Sequence, residues 1–509
     1  MGEQDQFLGS SGDDGNSEGR NLENSPQKRE IQTECAETAC IDWISELPDS
    51  IIVQILSLLP ITNACKTTIL SKRWQCLWTS IDNVIFRNAC NRLEYMALDK
   101  FISFTDNVLP LLSCLSIKKF NLYFDFDYDD GVSYSLKIDN WLEFAVNKKV
   151  EDLYLNIWYS VDPEEHDQPY SLPQVFCSSS SIVKLDCRYC RISEDRVLNW
   201  TSLKSLTLGY LFLREEHIEQ IMSNCPQLES LKLRSFCGFN RLHVTSPNCR
   251  RLQLTNHHHP IGDWGSFEGD CGFEVVAPYV QHLKISENFD HTEIRLGDLS
   301  SLVHADLTFC RDEYDASNET TVEDLLVSIR CANELIVSPW LIKVISDLMF
   351  EGEDISLPLL ECRWLMISSR ISKYFFPGLD NLLRSTPYLE NLMLSHDMPC
   401  YHCFPDDDII IWGVNYLSLQ ENIFKVSLQN LKIVKVISPF CSRIHTAVTT
   451  ELPHLLKFLL EHAINLEKLI VAPEHKGCNR CSTHISKLMK YLLAFPRTSK
   501  SAVVSLGSV

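Results

Sequence analysis

One pattern recurs along most of this chain: an apolar residue, two variable ones, an apolar one, a variable one, and another apolar one. The clear copies are Leu203-Leu206-Leu208, Leu228-Leu231-Leu233, Leu389-Leu392-Leu394, Leu428-Leu431-Ile433 and Leu466-Leu469-Val471. Weaker copies are Ile117-Phe120-Leu122, Val150-Leu153-Leu155, Ile182-Leu185-Cys187, Cys249-Leu252-Leu254, Val280-Leu283-Ile285, Leu302-Ala305-Leu307, Ala332-Leu335-Val337 and Cys362-Leu365-Ile367. The central residues, from Phe120 to Leu392, are spaced by 21 to 33 positions. One such triplet means nothing, because Leu is common. About a dozen at this spacing mean a repeat. Each unit supplies one short strand and cannot bury its apolar face alone, so neighbours must stack into a parallel sheet. Glu215–Ser223 and Val322–Ile329 have helical patterning and fall on the return side.

The spacing matches an irregular leucine-rich repeat, a curved parallel sheet with convex helices. The openings Cys225-Pro226-x-Leu228-Glu229 and Thr386-Pro387-x-Leu389-Glu390 resemble the leucine-rich repeats of F-box proteins.

Upstream, Leu47 to Trp78 is short, apolar and helix-patterned. Ser45 or Asp49 can cap a helix that Pro48 suits at its first turn. Ile52, Ile55, Leu56 and Leu59 share one face. Ile51 and Leu58 stand off it, so the helix is apolar on more than one side. Pro60 is expected to end it. Asn63–Ile69 reads as a second short helix. Ser71 reads as the cap of a third that carries Lys72, Arg73, Trp74, Leu77 and Trp78. Apolar surface on two sides suits a module clamped between a partner and its own downstream domain, or a hairpin packed on the chain alone. Leu47-Pro48, Ile55-Leu56, Ile69-Leu70-Ser71-Lys72-Arg73-Trp74 and Trp78-Thr79-Ser80 resemble the large plant F-box family with leucine-rich repeats and a C-terminal FBD domain. The resemblance implies docking on a Skp-type adaptor, which bridges to a cullin–RING ubiquitin ligase. It places Leu47, Pro48, Ile52, Ile55, Leu56 and Trp74 at or beneath that interface. Cys65 departs from the aliphatic residue more usual there, a mild change, since buried Cys acts as a small apolar group.

Beyond Phe424 the unit spacing lengthens, to 39 from Leu392 to Leu431 and 38 from Leu431 to Leu469. Leu452, Leu455, Leu456, Leu459 and Leu460 form an amphipathic helix between the last two strands. Residues 424–507 resemble a β-α-β-type FBD domain capping the solenoid. Ser438–Thr450 departs from it as a longer loop without Gly. The fold class is therefore α/β. A disordered acidic tail spans 1–40, a three-helix F-box 41–86, a repeat solenoid 87–423 and an FBD-like cap 424–507. The tail carries nine acidic and three basic side chains and too little apolar area to order itself.

Among 509 residues, 46 basic side chains face 67 acidic ones, a net charge of −21. That argues against non-specific nucleic-acid binding. No apolar run reaches the roughly 18 residues of a membrane span, and the start of the chain carries no secretory signal. The 21 cysteines are scattered along a long chain, so they read as reduced and mostly buried, in the nucleus or cytoplasm. The CxxC pairs Cys187/Cys190, Cys400/Cys403 and Cys478/Cys481 prompt a zinc question, with His475/Cys478/Cys481/His484 the best-formed cluster. Chance pairs suffice in a Cys-rich chain, so no metal and no cofactor is expected. No catalytic motif is found, and Asp129-Asp130 and Asp406-Asp407-Asp408 read as solvated charge.

Strand alternation sends the residues between the apolar ones to the concave side. Lys184, Arg188, Lys232, Arg234, Arg251 and Lys284 thereby gather on one surface. They are candidates for an acidic or phosphorylated target segment, or for an anionic small molecule beneath one. The function expected is target recognition for a ubiquitin ligase, without catalysis by this chain. A scaffold that binds the adaptor without directing ubiquitination is the alternative.

Overall fold

The computed structural model describes residue 44 and residues 46–88, 98–127, 134–160, 169–256, 272–289, 294–310, 318–350, 356–368, 375–395, 428–438, 445–473 and 479–507. The acidic tail, His257-His258-His259, Asp129-Asp130, Asp406-Asp407-Asp408, and Cys400 and Cys403 with their neighbouring histidines lie outside these residues. The chain divides into two compact units, 1–48 and 49–509. In the first, Leu47 N donates to Ile44 O at 3.3 Å. Leu47 is half-buried there, and Ile44 and Pro48 are exposed.

The second unit opens with helix α1 (Asp49–Leu56) and α2 (Ile61–Lys66). Three 3-10 turns follow, at Thr67–Ile69, Lys72–Gln75 and Leu77–Ser80. Three expectations are corrected here. The first helix stops at Leu56, where Ser57 Oγ donates to Val53 O at 2.8 Å. Leu58 and Leu59 close tight turns onto Ile55 and Leu56. Proline restricts the residue before it, so Pro60 starts α2 rather than ending α1. The second helix begins and ends earlier than Asn63–Ile69. The third is two 3-10 turns broken at Cys76, which still bury both Trp74 and Trp78.

The strands, in chain order, begin with β1 (Asn83–Arg87), β2 (Lys119–Asp127), β3 (Asp152–Ser160), β4 (Tyr170–Ser171), β5 (Lys184–Arg188), β6 (Cys190–Arg191) and β7 (Ser205–Phe212). Then come β8 (Ser230–Cys237), β9 (Arg241–His243), β10 (Arg251–Asn256), β11 (Phe273–Val276), β12 (His282–Asn288), β13 (Ile294–Leu296) and β14 (His304–Cys310). The last are β15 (Glu334–Val337), β16 (Trp364–Ser368), β17 (Asn391–Ser395), β18 (Ile433–Ser438), β19 (Lys468–Pro473) and β20 (Val503–Leu506). Fifteen form one sheet in sequence order, β1-β2-β3-β5-β7-β8-β10-β12-β14-β15-β16-β17-β18-β19-β20. Every neighbouring pair is parallel.

Register aligns the repeat. Phe120, Leu153, Leu185, Leu206, Leu231, Leu252, Leu283, Ala305, Leu335, Leu365 and Leu392 pair in succession, and all are buried. Each large apolar member contributes about 1.5–3 kcal/mol by burial. Ile81-Val84-Phe86 is a further rung before Phe120, fully buried and paired through Val84.

The C-terminal register differs from the one expected. Leu392 pairs with Val434, and Val434 with Leu469. The buried triplet is therefore Leu431-Val434-Val436, and Ile433 is half-exposed. Leu428 and Leu431 are three apart, like the first two members of any unit, so the pattern reads equally well one step early. The unit spacings become 42 and 35 rather than 39 and 38. Ser438–Thr450 is not all loop, because a helix spans His445–His462. That helix buries Leu452, Leu455, Leu456, Leu459 and Leu460. A second helix, Asn479–Ala494, precedes β20.

Spacing sets what lies on the return side. Where core positions are 25 or more apart, helices fit: α3 (Leu98–Val108), α4 (Ser135–Asn147), α5 (Gln174–Cys177), α6 (Glu215–Asn224), α7 (Asn318–Ser328), α8 (Pro339–Phe350) and α9 (Phe376–Arg384). The units of 21 or 22 residues return as a short strand, β6, β9 and β13, whereas β4 and β11 lie in units of 32 and 31. β9, β11 and β13 pair into a second parallel sheet, and β4 pairs with β6. A helical turn rises only 1.5 Å per residue, so the shortest units have too few residues to cross back as helix.

Candidate functional site

The helical module has two faces. Ile52 and Leu56 are fully buried, and Trp74 and Trp78 close the same interior. Trp78 Nε1 donates to Gln75 O at 3.0 Å. α2 packs on β1, and Asn83 Nδ2 donates to Ser57 O at 2.5 Å, which ties the module to the first rung. The other face is apolar and open. Ile51, Ile55 and Leu58, at i, i+4 and i+7, are 39%, 43% and 79% exposed, and Ile69 and Leu70 are exposed as well. Arg73 Nε donates to Asp49 Oδ1 at 2.7 Å beside them, an exposed pair worth well under about 1 kcal/mol.

The open face of the main sheet carries the residues between the buried columns. A groove of about 470 Å³ runs across β5, β7, β8, β10, β12 and β14. Lys184, Lys232, Arg251 and Lys284 line it with Lys204, against Glu229 and Asp306. Lys284 Nζ lies 2.6 Å from the buried carboxylate of Asp306. Arg251 reaches Glu229 at 3.9 Å. His282 and His304, register partners, also line the groove, and His304 Nδ1 is 3.1 Å from Glu334.

Arg188 and Arg234 share this face but stand further along their strands, four positions past Lys184 and two past Lys232, beside the groove rather than in it. Arg188 Nε and Nη2 donate to Asp186 at 2.8 and 2.9 Å, and its guanidinium sits 5.2 Å from the Tyr154 ring. Burial pushes the Tyr154 phenol up, with Arg188 pulling it back. The six expected cations therefore separate into four along the groove and two at its margin. Toward the C-terminus the same face turns apolar, with Ile336, Met366, Met393 and Ile470 in one half-buried row interrupted by Lys435.

Known proteins match both regions. Residues 44–86 match the F-box domain, and residues 138–304 match the family described as FBD-associated F-box protein At5g56370, LRR repeats. The chain carries an F-box followed by leucine-rich repeats of the FBD-associated kind. The putative F-box protein At1g49610 of Arabidopsis thaliana is 28% identical over 386 residues, 74% of this chain and 89% of its own. F-box/LRR-repeat protein 13 of the same plant is 26% identical over 481 residues, 91% of this chain and 96% of its own. F-box/LRR-repeat protein At3g03360, also from Arabidopsis thaliana, is 28% identical over 444 residues, 81% and 83% of the two chains. F-box domains generally bind Skp1-type adaptors.

Of the residues singled out in the F-box sequence, Ile55 and Pro48 are open, Leu47 is half-buried, and Ile52, Leu56 and Trp74 are interior. Ile51, Leu58, Ile69 and Leu70 were not singled out for partner contact, yet all four are exposed. The signal was present in Ile51 and Leu58 standing off the α1 face.

Among the described residues of the F-box and repeats, eleven cysteines are free, and six of them are buried. Burial pushes the Cys249 thiol up to about 11 and the Cys362 thiol up to about 12. Such thiols carry little nucleophilic thiolate at neutral pH. Cys187 and Cys190 are adjacent as thiols, their hydrogen bond raising Cys187 further. No group of three metal-ligating side chains occurs among the described residues. His475 and Cys478 lie outside them, and nothing is described of the Cys481 and His484 side chains.

Proposed function

We propose that this protein is the target-recognition subunit of a Skp–cullin–F-box ubiquitin ligase, working in the nucleus or cytosol. The observation that carries this is the open apolar face of the F-box, where Ile51 and Ile55 project from the side of α1 that its own core does not use and Leu58 is exposed in the turn after it. Apolar side chains presented together on a folded module mark a partner surface. The adaptor docks there, and Leu47 and Pro48 belong to the same adaptor-binding segment by their place in the F-box sequence. Ile52, Leu56 and Trp74 hold that surface in shape from inside.

The open face of the repeats receives the target, with Lys184, Lys232, Arg251 and Lys284 supplying a basic groove in a chain of net charge −21. Residues 424–507 act as the FBD-like cap, adding the rungs β18 to β20. Ubiquitin transfer is performed by the partner subunits, and this chain contributes proximity.

Co-purification of the full chain with a Skp-type adaptor tests the reading, beside Ile55→Asp. Ile55 is exposed, so the variant keeps the wild-type melting temperature. The complex is expected to weaken at least tenfold. Folded wild-type protein that forms no complex would overturn the proposal.

A further inference from the structure

Gly209 stands between two arginines. Its register partners are Arg188 on β5 and Arg234 on β8. A Cβ on Gly209 would lie 3.3 Å from Arg188 Cγ and 3.5 Å from Arg234 Cβ. The missing side chain leaves a slot walled by two arginine stems. Two strand spacings, roughly 9–10 Å, separate those stems.

The two arginines are in different electrostatic states. Arg188 is held by Asp186 and the Tyr154 ring, so its guanidinium is oriented and its charge is matched. Arg234 makes no ion pair or hydrogen bond among the described residues, and its Nε is buried without an acceptor. Lys232, two positions earlier on the same face, likewise has no ion-pair partner among them. Leaving a buried donor unpaired costs about 1–3 kcal/mol, more when it is charged. Arg188, Lys232 and Arg234 against Asp186 leave a local charge of +2.

The backbone beside the slot is also unusual. The residue after each of the three register partners has a left-handed φ: Tyr189 at 58°, Tyr210 at 56° and Ser235 at 42°. Such residues cost on the order of 1–3 kcal/mol each and cluster where a site is shaped. The Tyr189 and Tyr210 rings stack at 4.3 Å with 6° between their planes, a rigid wall beside the arginines.

We propose that the Arg188–Gly209–Arg234 slot seats a phosphomonoester group carried on a side chain of the target protein. This rests on the reading of the open face as target-binding. An oxyanion with charge-assisted contacts of about 2.8 Å on each side bridges the two guanidiniums. A phosphorylated side chain carries about −1.5 to −2, which matches the local +2. A carboxylate, with one charge, leaves a cation unmatched.

Calorimetric titration of the full chain tests this, with phosphoserine amide, inorganic phosphate and acetate as probes. Phosphoserine amide and phosphate are expected to saturate, and acetate is not. Gly209→Ala fills the slot and Arg234→Gln removes the unmatched charge. Each is expected to weaken phosphate binding at least tenfold at an unchanged melting temperature. Lys468→Gln, an exposed cation on β19, is expected to change nothing. Absence of saturable phosphate binding overturns the proposal. So does acetate binding as tightly as phosphate, full binding in both slot variants, or an equal loss in Lys468→Gln. The same variants keep the F-box intact. A wild-type chain that binds the adaptor but not phosphate therefore speaks against the slot alone, whereas a wild-type chain without adaptor binding speaks against the ligase reading.

Discussion

Asp380 shows how far one carboxylate can be held from its ordinary state. It is 2% exposed on α9, and burial pushes its pKa from 3.8 up to about 6, with Arg384 at 3.0 Å pulling the other way. The folded chain therefore holds the Asp380 proton more tightly than the unfolded chain does. The stability linked to that proton is complete below about pH 4 and is lost as pH rises through about 6. Asp380→Asn is expected to stabilise the protein by about 1–2 kcal/mol at pH 7.5 and by little at pH 4. Denaturant melts at the two pH values check it, and an equal gain at both would count against it. Next to it, Gly378 permits a close approach of α9 to α8. Its N–H donates to Ser346 Oγ at 2.9 Å, and a Cβ there would meet Ile342 O at 2.3 Å. Nothing in the local sequence of Gly378 announces either contact.

At the scale of the element, the strand register is the quantity most open to error and most easily tested. A one-residue difference moves a side chain from the core face to the open face. In β18, Val434 is fully buried and Ile433 is half-exposed. Val434→Asp is expected to destabilise the protein by about 3 kcal/mol or more, as an unpaired buried charge does. Ile433→Asp is expected to cost under about 1 kcal/mol. Thermal melts of the pair decide between the two registers, because the unit read as Leu428-Leu431-Ile433 predicts a core role for Ile433. The same scale explains the return side. Units of 21 or 22 residues carry a short strand there because so few residues cannot cross back as helix, whereas longer units carry a helix, a strand or both.

For the whole molecule, the sheet is a single ladder from β1 to β20, so neighbouring rungs are the unit of stability. β18, β19 and β20 cover the edge of β17, and the helix Asn479–Ala494 packs on β19, on β20 and on the helix His445–His462. Ending the chain after Ser395 is expected to expose the β17 edge and the last apolar layer, giving aggregation in size-exclusion chromatography. A truncated chain that stays monomeric with an unchanged melt would mean that the C-terminal rungs fold as a separate body. β20 itself remains an edge strand, with Val503 and Leu506 exposed.

The repeat period, the parallel order of the rungs and the existence of the helical module were legible in the sequence, because each depends on local patterning that burial then obeys. Leu203-Leu206-Leu208 or Leu228-Leu231-Leu233 allows one face inward and one strand per unit. The division of the F-box residues into interior and open ones was not legible, because Ile52 and Ile55 look alike until something packs on one of them. Nor was the separation of the six cations. Lys184, Lys232, Arg251 and Lys284 line a groove, whereas Arg188 and Arg234 flank Gly209, and only the register between successive strands decides which side chains become neighbours. The sequence by itself determined the ladder, and the tertiary structure decided which charges on it were left unmatched.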